Sequence, residues 1–163
     1  MKRSSERGNS LAAALRLLSR RGYSEGEIRE KLGMRNFPPE EIDSAVQRLK
    51  ELGYIDDASL AEQIARYRFE VMGHGRWKIS EYLRRRKISG DIIEDVLSRL
   101  VTRDRAIARG VELLRKRAER GTFDISSEKG KIFRYLAGRG YPPDLAREII
   151  SEYERAERGG DEG

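Results

Sequence analysis

Apolar residues recur along the chain with helical spacing, and the pattern they make occurs three times. Ile28, Leu32, Phe37, Ile42, Val46 and Leu49 have the same spacing as Ile79, Leu83, Ile88, Ile93, Leu97 and Leu100, and again as Ile132, Leu136, Tyr141, Ala146, Ile150 and Tyr153. The offsets are 51 and then 53 residues. In each copy the first pair is four residues apart and the last three fall at i, i+4, i+7, so one helix is followed by another. Upstream of each pair stands a further run with helical spacing: Leu11, Leu15 and Leu18; Leu60, Ile64, Tyr67 and Val71; Ile107, Val111, Leu114 and Ala118. No stretch alternates with period two between hairpin turns, so no sheet is expected. The pattern predicts an all-α fold of three tandem three-helix repeats, over residues 10–54, 55–101 and 102–154. Each unit is too small to bury its own apolar face, so the repeats should stack as an elongated array.

Local signals place the helix ends. Leu52-Gly53 reads as a C-terminus with glycine just past it, and Asp56, Asp57 and Ser59 can each offer an oxygen to the helix that follows. Ser59 with Glu62, and Ser24 with Glu27, have the spacing of a capping box. All four prolines form two pairs, Pro38-Pro39 and Pro142-Pro143, each directly after the matching positions Phe37 and Tyr141. Proline suits a first helical turn, where its missing N–H has no partner to lose. The second copy has Ser89-Gly90 there instead, and serine is a good N-cap. The connectors are Gly22-Tyr23-Ser24, Gly73-His74-Gly75 and residues 121–127. Residues 1–8 and the acidic tail 155–163 hold little apolar material and should fray.

Composition narrows the function classes. Charged residues are 38% of the 163 and hydrophobic ones 37%, which leaves a thin core. There is no cysteine, so disulfides and thiolate metal sites are excluded. No apolar run approaches a membrane span and the first ten residues lack a signal-peptide core, which predicts a cytoplasmic protein with no membrane partner. The net charge of +6 is concentrated in the middle: residues 73–120 carry fourteen cations against seven acids, whereas residues 121–163 carry seven against nine. Such a block attracts polyanions or acidic protein surfaces.

Catalytic chemistry is sparse. His74, the only histidine, lies between two glycines and reads as a loop residue. Asp56-Asp57 are adjacent at a helix entry and do not face one another, so capping accounts for them. Gly73-x-Gly75 has no preceding strand and no following Gly-Lys-Ser/Thr, so it is not a nucleotide loop. Tyr54, Tyr67, Tyr82 and Tyr141 are expected in the core, whereas Trp77 is off the Ile79/Leu83 register beside Arg76 and Lys78. No catalytic, cofactor or metal site and no small-molecule substrate is expected. The candidate partner-binding residues are Arg76, Trp77, Lys78, Arg84, Arg85, Arg86 and Lys87, joined by Arg115, Lys116 and Arg117, with Lys78, Arg85 and Arg86 projecting outward.

Ser24 to Leu32, the segment Leu52-Gly53-Tyr54-Ile55-Asp56-Asp57 with Leu60-Ala61, and Gly73-His74-Gly75-Arg76 leading to Ile79 and Leu83 resemble the hallmark segments of the RecX family of bacterial regulators. The similarity covers residues 11–101, and the third repeat by pattern alone. It implies a non-enzymatic protein that binds the RecA filament along its groove and restrains its extension, ATP hydrolysis and strand exchange in DNA recombination and repair, often with some single- or double-stranded DNA affinity. Two positions depart from the family: Leu60 stands where an aromatic is commoner, and Lys87 where a glycine usually precedes the Ile88 position. The alternative reading is a general nucleic-acid-binding helical module. Against sequence-specific binding stands the lack of a helix with Asn, Gln and Arg at base-reading positions.

Overall fold

The computed structural model describes residues 9–121, 124 and 127–160. Among these there are nine α-helices, one π-helical turn and no strand: α1 (Ser10–Leu18), α2 (Glu25–Met34), α3 (Pro39–Glu51), α4 (Asp57–Arg66) running into the π turn (Tyr67–Val71), α5 (Arg76–Arg85), α6 (Gly90–Leu100), α7 (Arg103–Glu119), α8 (Lys129–Gly138) and α9 (Pro143–Gly160). Each copy of the apolar pattern thus carries three helices. Seventeen of its eighteen positions are buried, and Phe37 is half-buried.

Proline and capping signals place the starts where local chemistry requires. Helices α3 and α9 open on the second proline of each pair, and α6 opens on Gly90 after Ser89. Ser24 forms the full capping box with Glu27. At α4 the outcome differs. The Asp56 carboxylate accepts from the Ser59 N–H at 3.0 Å, so α4 starts three residues earlier than the Ser59–Glu62 box implied, and Asp56 is its cap. Asp57 serves another helix, accepting from the Glu25 N–H at the start of α2. Its burial there raises its pKa above the usual aspartate range.

The five-residue spacing inside the apolar pattern has a structural cause. After the second helix of each copy the chain makes the same turn: Phe37 N–H donates to Leu32 O and Asn36 N–H to Gly33 O; Ile88 to Leu83 and Lys87 to Arg84; Tyr141 to Leu136 and Gly140 to Ala137. This is a Schellman motif, whose third residue from the helix end and second residue past it form its characteristic hydrophobic pair. Leu32/Phe37, Leu83/Ile88 and Leu136/Tyr141 are those pairs. The motif needs a left-handed residue between them, and Asn36 (φ 60°), Lys87 (φ 57°) and Gly140 (φ 92°) supply it. A lysine there bears a steric cost that glycine avoids. Lys87→Gly should therefore raise stability by about 1 kcal/mol, since the Lys87–Glu30 pair it removes is exposed and worth little. Urea unfolding of the two proteins measures the difference.

The first helix of each copy presents a different face from the one its large residues suggested. Leu11, Leu15 and Leu18 are half-buried, while Ala13, Ala14 and Leu17 form the buried centre. Helix α4 and the π turn bury Ala61, Ala65 and Phe69, leaving Leu60 and Ile64 at the flanks and Tyr67 and Val71 exposed. Helix α7 buries Ala106, Gly110, Leu113 and Leu114. Small residues let backbones approach closely, and the larger ones straddle the contact. Gly110 shows how closely, because any side chain there would run into Ile149 of α9.

Two compact units divide the described chain, residues 9–63 with 83–93 and residues 64–82 with 94–160, and the division runs through the second copy. In the first, α1, α2 and α3 pack on one another around Ala13, Ala14, Leu17, Ile28, Leu32, Val46 and Leu49. In the second, α9 packs against α7 and α8, burying Leu145, Ala146, Ile149, Ile150 and Tyr153. The tail expected from Arg155 onward is helical as far as Gly160. The fraying expected of residues 1–8 and most of the third connector lie outside the described residues.

Candidate functional site

Helix α5 carries most of the candidate residues, and its facing sorts them. Ile79 and Leu83 are fully buried, which turns Trp77, Lys78, Glu81, Arg84 and Arg85 toward solvent on one surface. Spacings of four, seven and eight residues from Trp77 keep Glu81, Arg84 and Arg85 near it, and Lys78 stands three residues before Glu81 and seven before Arg85. Trp77 is 58% exposed, an unusual position for so large an apolar ring. The Lys78 ammonium donates to Gly138 O at 3.2 Å, and Arg84 makes no ion pair among the described residues.

The remaining cations are engaged in the fold to different degrees. Arg76 pairs with Glu94 at 2.6 Å and Lys87 with Glu30 at 3.5 Å. Arg86 does not project outward as expected. Its guanidinium lies 2.7 Å from the Glu27 carboxylate and donates to Gly22 O at 2.8 Å, with little of either side chain exposed. Burial pushes the Glu27 carboxyl up, but hydrogen bonds from Arg86 and the Ser24 N–H outweigh it and leave its pKa below the usual range. The expectation misplaced it: Arg86 lies three residues after Leu83 and seven after Ile79, on the face those two residues bury, so the helical spacing itself carries it inward. On α7, Lys116 pairs with Glu112 at 2.8 Å and Arg117 stacks 4.2 Å above the Tyr135 ring, while Arg115 is exposed with no ion pair among the described residues.

The start of α5 is built into the second unit. His74 is 7% exposed, and its Nδ1 lies 3.1 Å from an Arg68 guanidinium nitrogen, so the neutral ring accepts that bond. Burial first, then the nearby charges of Lys78, Arg68 and Arg139, push its pKa down to about 4. Gly75 N–H donates to Arg139 O at 2.7 Å and Trp77 N–H to Gly140 O at 3.0 Å, while Tyr141 O–H donates to Gly73 O. The Gly73-His74-Gly75 connector is thus a buried joint. Because His74 titrates near 4 when folded and near 6.5 when unfolded, the unfolded chain binds the extra proton between those values. Stability should fall as pH drops from about 6.5 to 4, and His74→Gln should flatten that part of a melting-temperature profile.

Of the aromatics expected in the core, Tyr141 is buried and Tyr82 is half-buried beneath Arg68, whereas Tyr54 and Tyr67 are exposed. Sequence reasoning also missed a groove of about 450 Å³ between the π turn and α7, lined by Phe69, Val71, Arg105 and Arg109. Its charges are paired, Glu70 with Arg105 at 3.0 Å and Glu112 with Arg109 at 2.8 Å. Among the described residues, no three His, Asp or Glu side chains are grouped to hold a metal, and no helix is long and apolar enough to cross a membrane.

Comparison with known proteins agrees with this architecture. Residues 11–49 match the RecX first three-helix domain and residues 56–97 the RecX second three-helix domain. The regulatory protein RecX of Thermus thermophilus is 32% identical over 139 residues, 85% of this chain and 88% of that protein. The regulatory protein RecX of Chlorobium phaeobacteroides is 32% identical over 143 residues, 88% of this chain and 92% of that one. The crystal structure of RecX from Lactobacillus salivarius superposes with a TM-score of 0.80 at 27% identity, covering 89% of this chain and 94% of that one. Helices that repeat in threes, the connector and turn chemistry that joins them, and these matches across most of the chain together make it a member of the RecX family of regulatory proteins.

Proposed function

We propose that the protein binds the RecA nucleoprotein filament and restrains its extension, ATP hydrolysis and strand exchange, acting in the cytoplasm by binding alone. Membership of the RecX family supports that choice of target. The observation that carries the mode of binding is the solvent-facing surface of α5, where Trp77, Lys78, Arg84 and Arg85 stand together. A ring flanked by cations suits a surface of carboxylates or a nucleic acid strand with its phosphates, because the ring gains from burial and the cations from charge. Arg115 adds a second exposed cation, whereas Arg86 holds the fold together.

Exposed charges contribute little singly and are screened by salt, so the effect should appear in combination. Arg84→Glu with Arg85→Glu should weaken inhibition of filament ATP hydrolysis at least tenfold at low salt, with the circular dichroism spectrum unchanged. Full inhibition by that folded double variant would remove α5 from the interface. Equal binding of the wild type to filaments and to bare single-stranded DNA would favour the nucleic-acid-binding module instead.

A further inference from the structure

The chain makes one kind of junction twice. At each, the start of a second helix is seated on the Schellman turn that ends the second helix of the next copy. In the first unit, the Ser24 hydroxyl at the start of α2 donates to Arg86 O at 2.5 Å, and Gly26 lies so close to Lys87 that a Cβ on it would stand 2.7 Å from the Lys87 Cβ. In the second unit, the Gly75 N–H at the start of α5 donates to Arg139 O, and a Cβ on Gly75 would stand 2.6 Å from Gly140. The arginine of each turn reaches back to the connector before the seated helix: Arg86 donates to Gly22 O and Arg139 to Met72 O. Arg86 and Arg139 are 53 residues apart, the offset of the repeat itself.

The first copy has the same turn, and nothing among the described residues is seated on it. Arg35 stands 51 residues before Arg86, and the backbone bonds of Gly33, Asn36 and Phe37 reproduce the turn. Among the described residues no group donates to Arg35 O, and its guanidinium has no ion pair. Met34 beside it is 77% exposed, the most exposed large apolar side chain described. We infer that the turn Met34-Arg35-Asn36 is a socket for the N-terminus of a helix on the partner protein. That helix has serine or glycine at its cap, preceded by a connector whose carbonyl takes the Arg35 guanidinium. In a second copy of this chain the equivalent helix starts do not serve, because those of α2 and α5 are already seated and α8 has the bulky Glu128 at its cap, paired with Lys131.

The source of the helix rests on the filament reading above, so both are tested together. Arg35→Glu combined with Met34→Asp should raise the concentration for half-inhibition of RecA filament ATP hydrolysis at least tenfold. Melting temperature and affinity for bare single-stranded DNA should stay at wild-type values. Unchanged inhibition overturns the socket while leaving the filament reading intact. An equal loss of DNA affinity makes Arg35 a phosphate contact and also overturns it. Wild-type protein with no effect on filaments overturns the filament reading, and the socket's assignment with it.

Discussion

Gly140→Ala is expected to destabilise the second unit by about 3 kcal/mol or more, adding left-handed strain to overpacking. Two observations combine. Gly140 has φ 92°, beyond the left-handed values near 60° that Asn36 and Lys87 adopt at the equivalent turns. A Cβ placed there would also stand 2.5 Å from both the backbone nitrogen and the Cβ of Lys78. Relief requires the first turn of α5 to retreat, which stretches the bonds from Gly75 to Arg139 O and from Trp77 to Gly140 O. The joint is dense because two helix ends satisfy each other, orphan N–H groups against orphan carbonyls. Gly130→Ala is the control: it lies in α8 with open space at its Cβ position, so alanine's better helix propensity should leave stability unchanged or higher. Denaturant titrations followed by circular dichroism separate the two variants. A Gly140→Ala midpoint equal to the wild type would mean that the close approach of the two backbones is not what holds the joint.

The same joint marks the limit of what the sequence discloses. The apolar pattern was legible because each of its intervals has a local cause. Four- and seven-residue steps follow from the helix, and the five-residue step from Leu32 to Phe37 follows from the turn. Prolines and the Ser24–Glu27 box were legible for the same reason. What remained hidden depends on partners distant in sequence. Asp57 reads as a cap for the helix it starts, yet its carboxylate serves Glu25, 32 residues earlier. Arg86 reads as one more surface cation until Glu27 and Gly22 are brought beside it. The stripe of Ala61 and Ala65 was masked by Leu60 and Ile64, because hydrophobic periodicity weighs large side chains, while close helix contacts select small ones. For the candidate site, α5 was correctly seen as basic, and the emergence of Trp77, Lys78 and Arg85 followed from the burial of Ile79 and Leu83. Arg86 shares the Ile79/Leu83 face by its spacing, but the partners that engage it and the other cations could not follow from periodicity.

Leu83→Ala should cost about 2–5 kcal/mol, the range for emptying a fully buried leucine site. Leu83 is completely shielded from solvent. It is also the third residue from the end of α5, and its carbonyl accepts from the Ile88 N–H that closes the Schellman turn. Truncating it therefore removes the apolar partner of Ile88 along with the buried volume. The turn it supports sets Arg86 toward Glu27 and offers Arg86 O to Ser24, so loss of this side chain loosens the seat of α2 as well. The neighbouring substitution Arg84→Ala deletes a solvent-facing side chain with no ion pair among the described residues and should stay within about 0.5 kcal/mol of wild type. Measured side by side in urea, the two should differ by at least 1.5 kcal/mol, the gap between those two ranges. If they do not, the apolar member of the turn is not what fixes the end of α5, and the three equivalent turns would have to be held by their backbone bonds alone.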